Sequence, residues 1–239
     1  MNRTALAFAA VLLVLVAGIT VAVYDDDDSP YSAVIIADGT VERTYGWSYD
    51  GITYSLALKM PMSDYYAAAG VDRGTTTLSK YPQYIDADAD VVRLLASSLS
   101  DTAAKCNITD VPAFTLSFVQ NIPYKTDYES TGYVEYPKYP IETLVEYNGD
   151  CEDVVGLYVS LLRALDYKAV MIFIPTGSNS GHMAAGVAGS YVGGEITDKD
   201  GTVYHYAECT NPGWAIGELP NANDVPFGAS GTQILGGAT

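Results

Sequence analysis

Histidine occurs only twice in this chain, at 182 and 205, cysteine three times and tryptophan twice. No pair of these residues has the C-x-x-C or H-E-x-x-H spacing of a zinc site, so no metal and no cofactor is expected. Basic residues are equally scarce: 12 Lys+Arg stand against 29 Asp+Glu, a formal charge of -17 in 239 residues. Binding to a phosphate backbone depends on clustered Lys and Arg, and no such cluster exists, so nucleic acid is excluded as a partner. Hydrophobic content of 49% excludes an acidic disordered tail. A chain of this length buries roughly 70% of its unfolded surface, enough for one large domain. Tyrosine is the abundant aromatic, 20 copies beside 5 Phe. Its apolar ring and polar tip suit the wall of a peptide-sized groove.

Residues 5–24 carry no charge, follow Arg3 and precede the run Asp25–Asp28. About 20 such residues match a bilayer-crossing helix, and a secretory signal is the competing reading. Residues 1–24 are therefore expected to be a transmembrane anchor or a signal peptide. The remainder would face outward from a single-pass cell-membrane protein, or be secreted if the signal is cleaved. Asp25–Asp28 lacks the glycine-centred spacing of a calcium loop and reads as a solvated charge run. Residues 25–108 form an amino-terminal hairpin and helical region, 109–220 a core, and 221–239 a Gly- and Asn-rich flexible tail.

Alternation on either side of Asp50-Gly51 predicts a hairpin over 40–59. Val91, Val92, Leu95 and Leu99 follow a helical stripe from Asp90, and Phe114, Phe118 and Val119 mark a second helix over 111–121. Residues 122–139 hold five tyrosines without a period and read as a long loop. A short helix follows Pro140. After Asn148-Gly149-Asp150 the residues Val154, Leu157, Leu161 and Leu165 keep the 3.6 period, predicting a central helix over 151–165 with one buried stripe. Strands are expected at 169–174, 182–187 and 203–209. The fold class is α+β, a cysteine-bearing helix packed on an antiparallel sheet.

Cys151 falls at the first turn of that helix. Unpaired N–H groups and the positive helix end favour a thiolate there and could hold an oxyanion, while Asp150, Glu152 and Asp153 oppose it. Alternation places Glu208 and His205 on opposite faces of the last strand, so His182 is the available partner for Glu208. The order Cys151, His182, Glu208 then reads as nucleophile, general base and orienting carboxylate. Three cysteines leave at least one unpaired, and Cys106–Cys209 is the pairing that leaves Cys151 free.

At Gly149-Asp-Cys-Glu-Asp153, Gly181-His-Met183 and Tyr206-Ala-Glu-Cys-Thr210 the chain resembles the transglutaminase-like, papain-related cysteine hydrolase superfamily, particularly its archaeal membrane-anchored or exported members. The resemblance covers roughly residues 110 to 218. It implies a papain/transglutaminase-like core and catalytic roles for Cys151 and His182. Glu208 stands where the superfamily usually has an aspartate. It further implies a side-chain oxyanion donor upstream, for which Gln120 is the candidate, and a protein or peptide substrate outside the membrane. The implied chemistry is attack of a thiolate on an amide carbonyl, as in a peptidase, amidase or transglutaminase. The alternative is an inactive module of the same fold that binds peptide or envelope components.

Overall fold

The computed structural model describes residues 39–178 and 180–237, together with the backbone of 12–16, 19–24 and 35–37. The expected hairpin is β4 (Thr40–Tyr49) and β5 (Ile52–Pro61), paired from Thr40↔Pro61 to Tyr49↔Ile52. Asp50 and Gly51 both take positive φ, 50° and 76°, the geometry a two-residue hairpin turn requires. Around this hairpin lie β1 (Leu12–Val16), β2 (Ile19–Tyr24) and β3 (Ile35–Ala37), giving an antiparallel sheet of order β1-β2-β5-β4-β3.

Residues 12–16 and 19–24, the described part of the run 5–24, do not form the helix expected of it. Its described part forms strands, and no helix among the described residues is long and apolar enough to cross a membrane. Val21 and Val23 are β-branched, and β5 offers an edge whose hydrogen bonds β2 takes up from Thr20↔Ala57 to Tyr24↔Thr53. Residues 1–11, 17–18 and 25–34 lie outside the described residues.

The helical layer consists of α1 (Met62–Ala69), α2 (Asp90–Lys105), α3 (Val111–Val119), α4 (Asp127–Thr131), α5 (Pro140–Glu146) and α6 (Cys151–Ala164). Asp110 caps α3 by accepting from Ala113 N, and Thr126 and Glu129 form a capping box on α4. The sheet behind α6 has the order β10-β6-β7-β9-β8, from β6 (Ala169–Pro175), β7 (Gly181–Val187), β8 (Glu195–Thr197), β9 (Val203–Ala207) and β10 (Gln233–Leu235), all antiparallel.

α6 carries more than the single buried stripe its periodicity predicts: every residue from Glu152 to Leu162 is buried. The sheet strands β6 and β7 take one side, and α2, α3 and α5 take the other. The hairpin joins the same core through Trp47 and Tyr54, whose rings pack on Phe114 of α3.

Two further expectations are corrected. Residues 221–239 are not a loose tail along their described length, because Gln233–Leu235 adds an edge strand to β6 and Arg163 donates to Gly236 O at 2.5 Å. Cys106 and Cys209 are not joined; all three cysteines are free thiols. Cys106 ends α2 beside Tyr54 of the first sheet, whereas Cys209 is buried beside Tyr158 of α6, so the two thiols face different neighbours.

Candidate active site

Cys151 is the first residue of α6, and the chain reaches it through a constrained approach. Tyr147 ends α5 in the left-handed region, with φ 55°. Gly149 then pairs in parallel with Tyr124: Lys125 N donates to Gly149 O at 3.0 Å and Gly149 N to Pro123 O at 3.3 Å. A Cβ on Gly149 would stand 2.6 Å from Asp153 Cβ, so glycine lets the first turn of α6 tuck against the approach. Asp150 offers no side-chain cap, so its side chain takes up none of the N–H groups of the first turn.

The cleft has a volume of about 480 Å³. It is lined by Asp150, Cys151 and Glu152 at the start of α6, by Gly181 to Met183 of β7, and by Tyr81, Tyr124 and Glu135. The expected loop over 122–139 thus borders the cleft. His182 stands at the start of β7. Carrying the Ala185↔Ala207 register one residue past β9 sets Glu208 opposite Ala184, on the same face as His182 and diagonal to it. The extra methylene of glutamate, relative to aspartate, suits that diagonal.

His182 Nε2 lies 2.9 Å from Glu208 Oε2. An ionised carboxylate only accepts, so the ring proton sits on Nε2 and Nδ1 is left as the basic nitrogen. Glu208 Oε2 also accepts from Tyr206 OH at 2.6 Å, and Oε1 accepts from Thr210 N at 2.9 Å and Thr210 Oγ1 at 2.6 Å. Burial alone would raise the Glu208 pKa. The bonds and charge of His182, with Thr210 and Tyr206, outweigh it and hold the carboxyl at about 2.

The opposite wall is built otherwise. Cys151 Sγ donates to Glu152 Oε2 at 3.1 Å, and burial, followed by the charges of Glu152 and Asp150, pushes the thiol well above its ordinary range. These carboxylates do not face outward: Glu152 is 8% exposed and Asp153 1%. Burial, then the charge of Asp150, pushes Asp127 up to about 7, and burial likewise raises Asp150, Glu152 and Asp153. Asp127, Asp150 and Asp153 bring ligand oxygens within 4.8 Å of one another, as do Asp127, Glu135 and Glu152. One oxygen on each of Asp127, Asp150 and Asp153 is buried without a hydrogen-bond partner. Lys138, buried under α5, supplies the nearby cation, with Nζ 3.5 Å from Asp153 Oδ2 and 3.3 Å from Glu146 Oε2. Asp127 Oδ2 accepts from Tyr136 N and Asp153 Oδ1 from Lys138 N, so the fold satisfies part of the cluster. The remaining crowded hard oxygens have the chemistry of a divalent-cation seat.

Of the residues singled out from sequence, Cys151 and His182 meet at one cleft, with Glu208 behind His182. Gln120 does not join them. Its Nε2 donates to Glu208 O at 2.8 Å and Trp214 O at 3.0 Å, and its Oε1 accepts from Gly213 N at 3.3 Å. With both amide protons spent on carbonyls, it ties the Glu208 strand to the following loop and is not an oxyanion donor. His205 turns away, its Nδ1 on Gly193 O at 2.9 Å. Sequence reasoning missed Asp127, Glu135, Lys138 and Thr210. Thr210 was within reach, since it sits two positions from Glu208 on the same alternating face.

No protein-family model matches the chain, and no curated protein sequence is significantly similar to it. Among solved structures it is similar to LapG of Legionella pneumophila at 18% identity, covering 63% of this chain and 79% of that one, with a TM-score of 0.38. A calcium-bound LapG structure is similar at the same identity and score, over 66% of this chain and 85% of that one. A protein of Cytophaga hutchinsonii, provisionally described as a cysteine protease, is similar at 13% identity over 92% and 82% of the two chains, with a TM-score of 0.38.

Proposed function

We propose that the protein is a thiol-dependent acyl-transfer enzyme acting on amide bonds of peptides, of the transglutaminase-like cysteine hydrolase type. Cys151 is the nucleophile, His182 the general base and acid, and Glu208 the carboxylate that orients the imidazole. The observation that carries this reading is the His182–Glu208 bond of 2.9 Å at a cleft that Cys151 also lines, which leaves Nδ1 as the basic nitrogen. Nδ1 takes the thiol proton as sulfur attacks the carbonyl. It returns that proton to the departing amine, and water or a second amine then releases the acyl group.

The carboxylate trio belongs to the same reading. Asp127, Asp150 and Asp153 would hold a hard divalent cation of the calcium class, whose charge offsets the carboxylates that keep the thiol protonated. Export of the domain is also part of the proposal. It rests on the uncharged run behind Arg3 and is checked by fractionating cells that express the full chain.

The test is the pH dependence of Cys151 alkylation by iodoacetamide, with calcium added, in the intact protein and in His182→Ala. A midpoint below about 8.5 that rises in the variant supports the thiol–imidazole pair. A midpoint at or above that value, unchanged in the variant, overturns it and favours the peptide-binding module.

A further inference from the structure

With Gln120 spent on backbone carbonyls, the proposed reaction lacks its side-chain oxyanion donor. Attack on a carbonyl needs donors on the side of the Cys151 N–H, because the leaving group must face His182 to receive its proton. Four hydroxyls line the cleft. Tyr81 OH donates to Glu135. Ser178 and Ser180 lie on the turn that leads into His182, on the wall of the base. Tyr124 adjoins the nucleophile instead: its backbone pairs with Gly149, two residues ahead of Cys151, and its side chain lines the cleft. Its ring is 52% exposed and open to the cleft. Burial, then the charge of Cys151, raises its pKa, so the phenol stays a proton donor across the working range.

We propose that the Tyr124 phenol, with the Cys151 backbone N–H, donates to the oxyanion formed when Cys151 attacks a carbonyl. The proposal rests on the thiol chemistry above. In the step, the sulfur lone pair forms the S–C bond and the carbonyl π pair moves onto oxygen, where Tyr124 donates a hydrogen bond without transferring its proton. The pair then re-forms C=O, the bond to the leaving group breaks, and His182 protonates that group.

Two reagents separate this role from thiol reactivity. Acylation of Cys151 by p-nitrophenyl acetate passes through an oxyanion, whereas alkylation by iodoacetamide displaces iodide and does not. Both rates are read by mass spectrometry on the Cys151 peptide at one pH, and their ratio cancels the thiolate fraction. In Tyr124→Phe the acylation-to-alkylation ratio should fall roughly 100-fold, with alkylation within about twofold of the parent. Tyr124→His, which restores a donor, should recover part of the ratio. A ratio within about threefold of the parent in Tyr124→Phe overturns the proposal while leaving the thiol reading intact. If neither reagent modifies Cys151 in the parent, the thiol reading fails and this assignment falls with it.

Discussion

On the β7–β9 side of the cleft the Glu208 carboxylate receives four donors, from His182, Tyr206 and Thr210, and its pKa is held at about 2. On the α6 side three carboxylates converge, each with one oxygen that receives no hydrogen bond and only Asp153 ion-paired through that oxygen, to Lys138, and Asp127 is pushed up to about 7. Both groups are buried within one domain, so burial cannot be what separates them. The difference is donor supply. A buried carboxylate stays ionised only where the fold brings enough N–H and O–H groups to it. One wall is complete within the chain, and on the other the proposed divalent cation would supply the charge that the fold does not.

The strongest way to break this contrast is Glu208→Gln, which keeps the shape but removes the charge that fixes His182. Turnover of p-nitrophenyl acetate should fall roughly 10³-fold, a figure scaled from the loss of the orienting carboxylate in a serine-protease triad. The linkage sign follows from a depressed pKa. Stability from Glu208 is present above about pH 4.5 and is lost as pH falls toward 2. The variant should therefore lose on the order of 2 to 3 kcal/mol at pH 7 and little near pH 2, read by denaturant melts across pH.

The carboxylate trio should behave in the opposite sense. Calcium at about 100 times its dissociation constant should raise Tm by roughly 5 to 10 °C over protein in EDTA. Asp127→Asn should abolish that shift. In EDTA at pH 8 the same variant should be more stable than the parent by about 1 to 3 kcal/mol, because the contribution of a raised carboxyl is full below its unfolded pKa of 3.8, falls as pH rises from there through about 7, and is lost above it. Equal Tm values with and without calcium would remove the cation from the account.

Legibility in the sequence follows the range of each signal. The hairpin turn, the start of α6 and the shared face of His182 and Glu208 are set within a few residues, by turn chemistry, helix period and strand alternation. β8 and β10 are three residues each and too short to show a period. The run 5–24 is apolar enough for a helix. The strands at 12–16 and 19–24 within it depend on a partner edge at β5, which hydrophobicity alone does not reveal. The carboxylate trio joins Asp127, from a loop without periodicity, to Asp150 and Asp153, and only the tertiary fold brings them together. Gln120 failed as an oxyanion candidate for a similar reason, since its protons are spent on carbonyls 88 and 94 residues away.

Tyr206→Phe offers a milder test of donor supply. It removes one of the two donors to Glu208 Oε2 but leaves His182 in place. Turnover should fall roughly tenfold and stability at pH 7 by about 1 to 2 kcal/mol. The acid limb of the stability curve should move to higher pH as the Glu208 pKa rises, whereas simple loss of packing would lower the curve equally at every pH.

The smallest effect on chemistry is expected at Gln120, where the contrast between holding a backbone and holding an oxyanion is sharpest. Gln120→Leu leaves one buried and one part-buried carbonyl without their donor and should cost about 2 to 3 kcal/mol in a denaturant melt. An oxyanion donor would behave differently, losing acylation with alkylation unchanged. Because the Gln120 amide points at Glu208 O and Trp214 O, the ratio of p-nitrophenyl acetate to iodoacetamide reactivity at Cys151 should stay within about threefold of the parent. A 100-fold fall in that ratio with unaltered stability would return the oxyanion role to Gln120 and take it from Tyr124.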